Sequence, residues 1–293
     1  MAIKIKTLLF FLLFSGNLFS QPFVDIVSFN YQSFSSKYKT DPDWKNTTDN
    51  FTLSIFLPKE LKNGNTLLFR INAENIQSKI NGDLNYSSDV SSVAFAFGFQ
   101  WVSKNKKWKT ILMGIPKLAS SFDDKMTSED WQCGGYFLES YIPNKKVKFK
   151  AGLYYNKEAF GNFFVPLLGV DWKIANRWNA YGVLPTNYKI EYSLIKEKAY
   201  LGLNFKSMTR SFSLSEKQGL DYVRYDEMQF KLTANYFVQK KIVLFGEIGY
   251  SLGKNPLQYQ YKTDVQSNLN PIYTELKNYP VFNIGIAYRL RTE

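Results

Sequence analysis

The last strand-length segment of the chain, Pro280–Leu290, alternates between two kinds of side chain with almost no interruption. The large apolar residues share one parity, and the residues between them are small or polar. The apolar set is Phe282, Ile284, Ile286, Tyr288 and Leu290. Successive side chains of a strand point to opposite faces, so one face of this strand is predicted to be apolar and the other polar. A soluble β-sandwich could carry such a strand. Ending a chain on it behind a secretory signal is more typical of an outer-membrane β-barrel.

The N-terminus has the pattern of a secretory signal peptide. Lys4 and Lys6 precede the apolar run Leu8–Phe14, and Ser15–Ser20 forms a short polar exit. The run is too short for a transmembrane helix, which needs about 20 residues. We therefore expect residues 1–20 to be a cleaved signal peptide and residues 21–293 to form a single barrel domain.

Composition agrees with a barrel. The mean hydropathy of −0.29 would suit a soluble protein, but lipid-facing and lumen-facing residues alternate in a barrel and average to a similar value. Aromatic residues make up 17% of the chain, as expected for interfacial girdles. The net charge of +12 on an exported chain indicates outer-membrane lipid, lipopolysaccharide phosphates or anionic solutes as partners, not nucleic acid.

Short basic turns punctuate the chain and alternate with longer polar segments. The predicted short turns are Ser103–Lys107, Pro143–Lys146, Ala175–Arg177, Lys196–Lys198, Gln239–Lys241 and the looser Pro58–Asn65. The predicted long loops are Lys39–Asp49, Glu74–Asp89, Ser120–Asp130, Asn156–Phe163, Arg210–Asp221 and Lys254–Tyr279, with Leu184–Asn187 as a tight exception. This arrangement predicts an all-β, antiparallel up-and-down barrel of about 14 strands, with 12 as the alternative.

Tryptophans bracket two of the short turns. Trp101 and Trp108 flank one, and Trp172 and Trp178 flank another. Indole rings collect at the membrane–water boundary, so we expect these four residues to form a periplasmic girdle. The alternative is that they pack at the base of a soluble sheet.

Residues that would support catalysis are scarce. The chain has no His, which excludes Ser-His-Asp and Cys-His nucleophiles and His-ligated zinc, so we expect neither an enzyme nor a cofactor. The acidic pairs Asp123-Asp124 and Glu129-Asp130 match no ordered calcium loop and indicate a solvated loop. Cys133 is the sole cysteine, so no intrachain disulfide can form, and it is expected to be a small strand residue.

The inward parity of the predicted strands is rich in basic residues. The predicted lumen-lining set is Arg70, Lys148, Lys150, Asp171, Lys173, Lys189, Glu191, Lys206, Arg210, Glu227, Lys231 and Arg289, with Glu247 as a further acidic member. Rings of Lys and Arg favour anions in pores. The alternative is that these charges pair with one another across a filled interior.

Several motifs resemble a family of outer-membrane β-barrels of unknown function from Gram-negative bacteria. They are Gly169-Val-Asp-Trp-Lys173, Arg177-Trp178, Gly182-Val-Leu-Pro185, Tyr200-Leu-Gly-Leu-Asn-Phe205 and Arg210-Ser-Phe212. The resemblance implies a barrel fold and brings no catalytic or binding residue with it. The final strand is also similar to the signal read by the barrel-assembly machinery, although it ends in Leu290 and not in a terminal Phe.

These observations favour two functions, with a barrel enzyme as a third hypothesis that the missing His disfavours. The first is a monomeric, passive pore for small, anionic solutes, with anion preference supplied by Lys148, Lys150, Lys173 and Lys231. The second is a non-conducting envelope or adhesion barrel that binds a partner through its extracellular loops.

Overall fold

The computed structural model describes residues 22–39, 43–81, 86–214, 220–252, 255–261 and 272–291. The predicted signal peptide lies outside these residues. The strands are β1 (Phe23–Lys37), β2 (Lys45–Glu60), β3 (Thr66–Asn81), β4 (Tyr86–Val102), β5 (Trp108–Ser120), β6 (Trp131–Asn144), β7 (Val147–Glu158), β8 (Gly161–Ala175), β9 (Trp178–Val183), β10 (Asn187–Ile195), β11 (Ala199–Ser213), β12 (Leu220–Gln239), β13 (Ile242–Ser251), β14 (Asn255–Tyr261), β15 (Ile272–Leu276) and β16 (Tyr279–Arg291). One short 3-10 turn, Ser128–Asp130, precedes β6. Within the described residues, no helix is both long and apolar enough to cross a membrane.

Fourteen of these strands close into an antiparallel barrel, which confirms the predicted architecture. Strands β1 to β13 pair with their sequence neighbours, and β16 pairs with both β13 and β1 to complete the ring. The strands are joined at one end by the six short turns that the sequence predicts. By the polarity of outer-membrane barrels this is the periplasmic end, and the opposite, loop-bearing end is extracellular.

The outer surface carries an apolar band. On β16, Phe282, Ile284 and Ile286 are exposed and alternate with inward residues, as predicted. Exposed apolar residues recur on the outer parity of the other long strands, for example Phe230 and Leu232 on β12. A closed sheet with such an exterior leaves no unpaired edge in lipid, so the barrel is of the outer-membrane type. Trp101, Trp108, Trp172 and Trp178 all lie exposed near the periplasmic turns.

Several predicted loops are wrong in their bounds because the strands continue through them. Much of Glu74–Asp89 belongs to β3 and β4, and most of Asn156–Phe163 belongs to β7 and β8. Lys254–Tyr279 contains β14 and β15, and the ends of Arg210–Asp221 extend β11 and β12. At the extracellular end, the outward-facing residues of these strands are polar, as Ser33, Asp49 and Gln77 show. The amino-acid composition of these segments therefore resembles that of loops, although their backbones remain paired in the sheet.

The wall of the barrel is uneven in height. The hairpin of β9 and β10 has strands of only 6 and 9 residues, whereas β12 has 20. Above this hairpin, β11 crosses to β5 and pairs with it at Ser213 and Ser120. Strands β6 to β10 separate β5 from β11 in the wide ring, so this contact closes a narrower ring on top of it.

The narrower ring is completed on its other side by the β14–β15 hairpin. β14 pairs with the extracellular end of β12, and Leu276 of β15 forms a bridge with Tyr38 after β1. We call this ring the neck; it consists of β1–β5, β11, β12, β14 and β15. The fold is thus a wide barrel that tapers to a neck at its extracellular end.

Candidate functional site

The interior of the barrel is the candidate site, and its extracellular end is filled. Inward residues of the neck, together with Tyr279 and Val281 at the start of β16, form one buried apolar cluster with contributions from most sides of the ring. The cluster contains Phe34, Tyr38, Ile76, Ile80, Val90, Ala119, Phe212, Leu214, Val223, Tyr225, Leu276, Tyr279 and Val281. Val90, Phe212, Val223 and Val281 are each 0% exposed. Side chains from opposing walls therefore meet, and the neck is closed by a packed core.

An ion-pair bridge lies directly beneath this core. The Arg210 guanidinium on β11 contacts Glu74 on β3 and, at 3.1 Å, Glu227 on β12. At this height β11 lies beside β5, so only β4 and β5 separate β11 from β3 in the neck. The bridge thus ties β3, β11 and β12 together through their inward side chains.

The shoulder where the wide barrel meets the neck is held by Glu158 at the end of β7. Glu158 accepts hydrogen bonds from the Ser211 backbone N–H at 3.1 Å and the Ser211 hydroxyl at 2.6 Å. It also pairs with Lys117 of β5 at 3.5 Å. These contacts fix the end of β11 over the lower strands β6–β10.

A second cluster surrounds Glu247 on β13. Its carboxylate pairs with Lys231, lies 3.7 Å from Lys189, and accepts hydrogen bonds from Asn204 and Asn283. Lys206 lies on the inner face of β11, which is separated from β13 by β12, and among the described residues it has no carboxylate within 4 Å. The predicted residues Lys189, Lys206 and Lys231 are therefore brought together, but Lys231 is already neutralised.

A third cluster lies near the periplasmic end of β7 and β8. Lys148 is opposite Asp171 in the strand register. Lys150 contacts Oδ1 of Asp171 at 2.5 Å, and Lys148 lies 3.7 Å from Oδ2. The Gly182 backbone N–H donates to the same carboxylate at 3.2 Å. Lys148 and Lys150 are each 7% exposed and Asp171 is 2% exposed, so two buried ammonium groups share one carboxylate.

The chain termini contribute a fourth cluster at the periplasmic end. Arg289 forms a two-pronged ion pair with Asp25, with distances of 2.6 and 2.9 Å, and stacks over Phe23. Arg291 pairs with Glu191 across the ring at 2.7 Å and stacks over Tyr200. Asp25 and Arg291 were not among the predicted lumen-lining residues. Each lies at the end of a strand, where the alternation of apolar and polar residues is too short to show which face a side chain is on.

Solvent reaches the interior below the neck. Arg70 lies on the inward parity of β3, between buried Leu68 and half-buried Asn72, yet is itself exposed. Lys173 continues the inward parity of Asp171 and is exposed at the periplasmic end of β8. The wall beside Arg70 is apolar, with Phe56, Leu68, Ala96 and Met113 in one buried cluster. The lumen therefore has one apolar wall and one charged wall.

The remaining sequence candidates lie outside the lumen. Cys133 is exposed on β6, on the outer parity. Asp130 is buried and accepts the Thr127 backbone N–H at 2.7 Å as part of a capping box. In the part of the chain that the structure describes, no three acidic or Cys residues gather in a group that could hold a metal.

Comparison with known proteins identifies a family and several solved barrel structures that are similar to this chain. Residues 93–289 match the model of a family described as "Domain of unknown function (DUF6268)". No protein with a curated description matches the chain.

Among solved structures, the COG4313 outer membrane channel from Pseudomonas putida F1 is 11% identical with a TM-score of 0.46, covering 89% of this chain and 95% of that one. The NanC porin is 10% identical with a TM-score of 0.40, covering 90% and 100%. OprB of Pseudomonas putida is 7% identical with a TM-score of 0.38, covering 92% and 93%. The barrel assignment rests on the strand pairings above and not on these distant likenesses.

Proposed function

The chain belongs to the DUF6268 family, and we propose that it is an outer-membrane channel for small anionic solutes that is closed at its neck in this conformation. The observation that carries the proposal is a solvent-reached, charge-lined lumen beneath a sealed extracellular neck. A lumen of this kind is suited to conduction, and the described residues form no arrangement for catalysis, so the proposal is for a non-enzymatic barrel.

The charge of the lumen supports a preference for anions. Asp171, Glu227 and Glu247 already contact basic groups. Arg70, Lys173 and Lys206 have no carboxylate within 4 Å among the described residues, so their charges remain available to a passing solute. Uncompensated positive charge on a pore wall lowers the barrier for anions and raises it for cations.

Opening the neck provides the test. Val90→Asp places a charge in the apolar core of the neck and should hydrate it, because an unpaired buried carboxylate is costly. We expect wild-type protein to conduct rarely in a planar bilayer and the variant to give steady single-channel steps. Ser87→Asp adds the same charge on the exposed outer face of the same strand and should behave like wild type. Heat-modifiable gel migration would show that each variant has folded.

The selectivity of the opened channel tests the anionic solute class. Adding Arg70→Glu and Lys173→Glu to the Val90→Asp variant should shift the reversal potential in a potassium chloride gradient toward cations. Single-channel steps with an unchanged reversal potential would refute the anion preference, but the proposal that the protein is a channel would stand.

The packed neck core favours a second candidate function, a barrel that never conducts. In that case the polar outer face of the neck, where Asp49, Gln77 and Asp89 lie in one row, would serve as a partner-binding wall. A folded Val90→Asp variant that remains silent would reject the channel and leave this alternative.

A further inference from the structure

We infer that Lys148 and Lys150 form a phosphate-binding site on the inner wall of the barrel. The inference deepens the proposed function, because it names the chemical group that an anionic solute would present to the lumen. It rests on an imbalance of buried charge at this one place in the wall.

The imbalance is visible in the contacts of Asp171. This carboxylate is the acidic partner of both lysines, and within the described residues neither lysine has another carboxylate within 4 Å. The 2.5 Å contact is made by Lys150, so Lys148 is the surplus ammonium group. A buried ammonium group is normally paired, because removing it from water is costly. Lys148 is 7% exposed, so water cannot fully replace a counter-ion.

Neighbouring strands add two further donors to the same part of the wall. Lys150 is opposite Ser140 of β6 in the register, and Ser140 is opposite Lys109 of β5. All three lie on the inward parity. The wall thus presents ammonium groups from β5 and β7 with a hydroxyl between them, around the surplus charge of Lys148.

The donor set favours phosphate over carboxylate. A phosphate group has more acceptor oxygens, directed tetrahedrally, and lysines bind it as point charges from several sides. The site lies near the periplasmic mouth, since Lys148 lies two residues from the periplasmic turn and exposed Lys173 lies beside Asp171.

Lys206 is the competing candidate, because it too lacks a nearby carboxylate. It is only partly buried, and the Asn204 and Asn283 amides of the adjacent cluster are bonded to Glu247. Lys206 can keep its hydration, whereas Lys148 cannot. The surplus positive charge of Lys148 therefore favours a bound anion more strongly than the charge of Lys206 does.

Equilibrium dialysis of radiolabelled inorganic phosphate against detergent-refolded protein, at constant ionic strength, tests the site. Wild type should bind phosphate saturably. Lys148→Met should weaken binding by about tenfold or more, the effect of losing one charged hydrogen bond, while keeping the Lys150–Asp171 pair. Asp171→Asn should strengthen binding, because it frees both ammonium groups, and acetate should compete poorly.

A matched control makes the result specific. Lys157→Met removes an exposed, outward lysine from the same strand and should bind phosphate like wild type. Lys206→Met removes the competing inner lysine and decides between the two candidates. Absence of saturable binding, or a loss confined to Lys206→Met, would overturn the site. Because the assay needs no bilayer, phosphate binding by wild type together with a silent, folded Val90→Asp variant would uphold the site and count against the channel. Steady conductance without phosphate binding would do the reverse.

Discussion

Single residues contribute to the closure of the lumen, and Arg210 is one of them because it pairs with two carboxylates beneath the neck core. Its guanidinium joins carboxylates from β3 and β12, which are far apart in sequence. Sequence alternation predicted that Arg210 faces the lumen. It could not predict the partner, because Glu74 fell inside a segment whose polar composition indicated a loop.

Replacing Arg210 with Ala should destabilise the barrel by about 3–5 kcal/mol, because two carboxylates in a low-dielectric interior then lose their partner. Arg210→Lys should destabilise the barrel less, because Lys keeps the positive charge but lacks the planar guanidinium that can donate to two carboxylates. The measurement is urea unfolding of the refolded protein in detergent, followed by tryptophan fluorescence.

Arg224 offers the matched control for this prediction. It pairs with Asp226 at 2.7 Å in the more exposed outer surface of the same region, so Arg224→Ala should cost about 1 kcal/mol or less. Equal losses in the two variants would show that the bridge beneath the neck core has no special role.

At the scale of strands, alternation identified most of the wide barrel. β7 shows why: Phe149, Ala151 and Leu153 are exposed, and Lys148 and Lys150 are buried, as their parity predicts. The neck was not predicted, because each strand supplies it with only one or two apolar residues, such as Ile76 and Ile80 from β3. A core built from so many distant segments leaves no signal in any one of them.

The apolar outer face of the barrel predicts that a charged substitution destabilises the fold more when it lies deeper in the membrane. Leu232 and Val238 share the outer face of β12, but Leu232 lies mid-strand and Val238 lies next to the periplasmic turn. Leu232→Lys should destabilise the folded barrel by about 2–4 kcal/mol and Val238→Lys by at most about 1 kcal/mol. Unfolding in lipid vesicles measures both, and equal costs would mean that the membrane does not cover this face.

At the scale of the whole molecule, closure of the ring depends on the two ends of the chain. β1 pairs with β16 over most of its length, from Phe23 opposite Arg291 to Phe34 opposite Val281. The sequence predicted β16 as a barrel strand from its own alternation. Its partners could not be deduced from one strand, since register is set by the closed ring as a whole.

The orientation of the barrel can be tested by labelling cysteines in whole cells. In a Cys133→Ser background, Lys125→Cys lies in the segment between β5 and β6 at the extracellular end, and Lys104→Cys lies in a periplasmic turn. A membrane-impermeant maleimide should label only Lys125→Cys in intact cells and both variants after permeabilisation. Labelling of Lys104→Cys alone in intact cells would mean the opposite orientation.

The low β9–β10 wall has a consequence for the surrounding lipid. At about 3.3 Å per residue, the 6 residues of β9 extend about 20 Å before any tilt, less than the roughly 25 Å apolar band of such barrels. Exposed Phe164 and Leu168 of β8 continue past the point where β9 ends. We expect the bilayer to meet a hydrophobic mismatch along this side of the described barrel and to thin there. The protein would then sit in an asymmetric membrane deformation, and short-chain lipids should gather along β9 and β10.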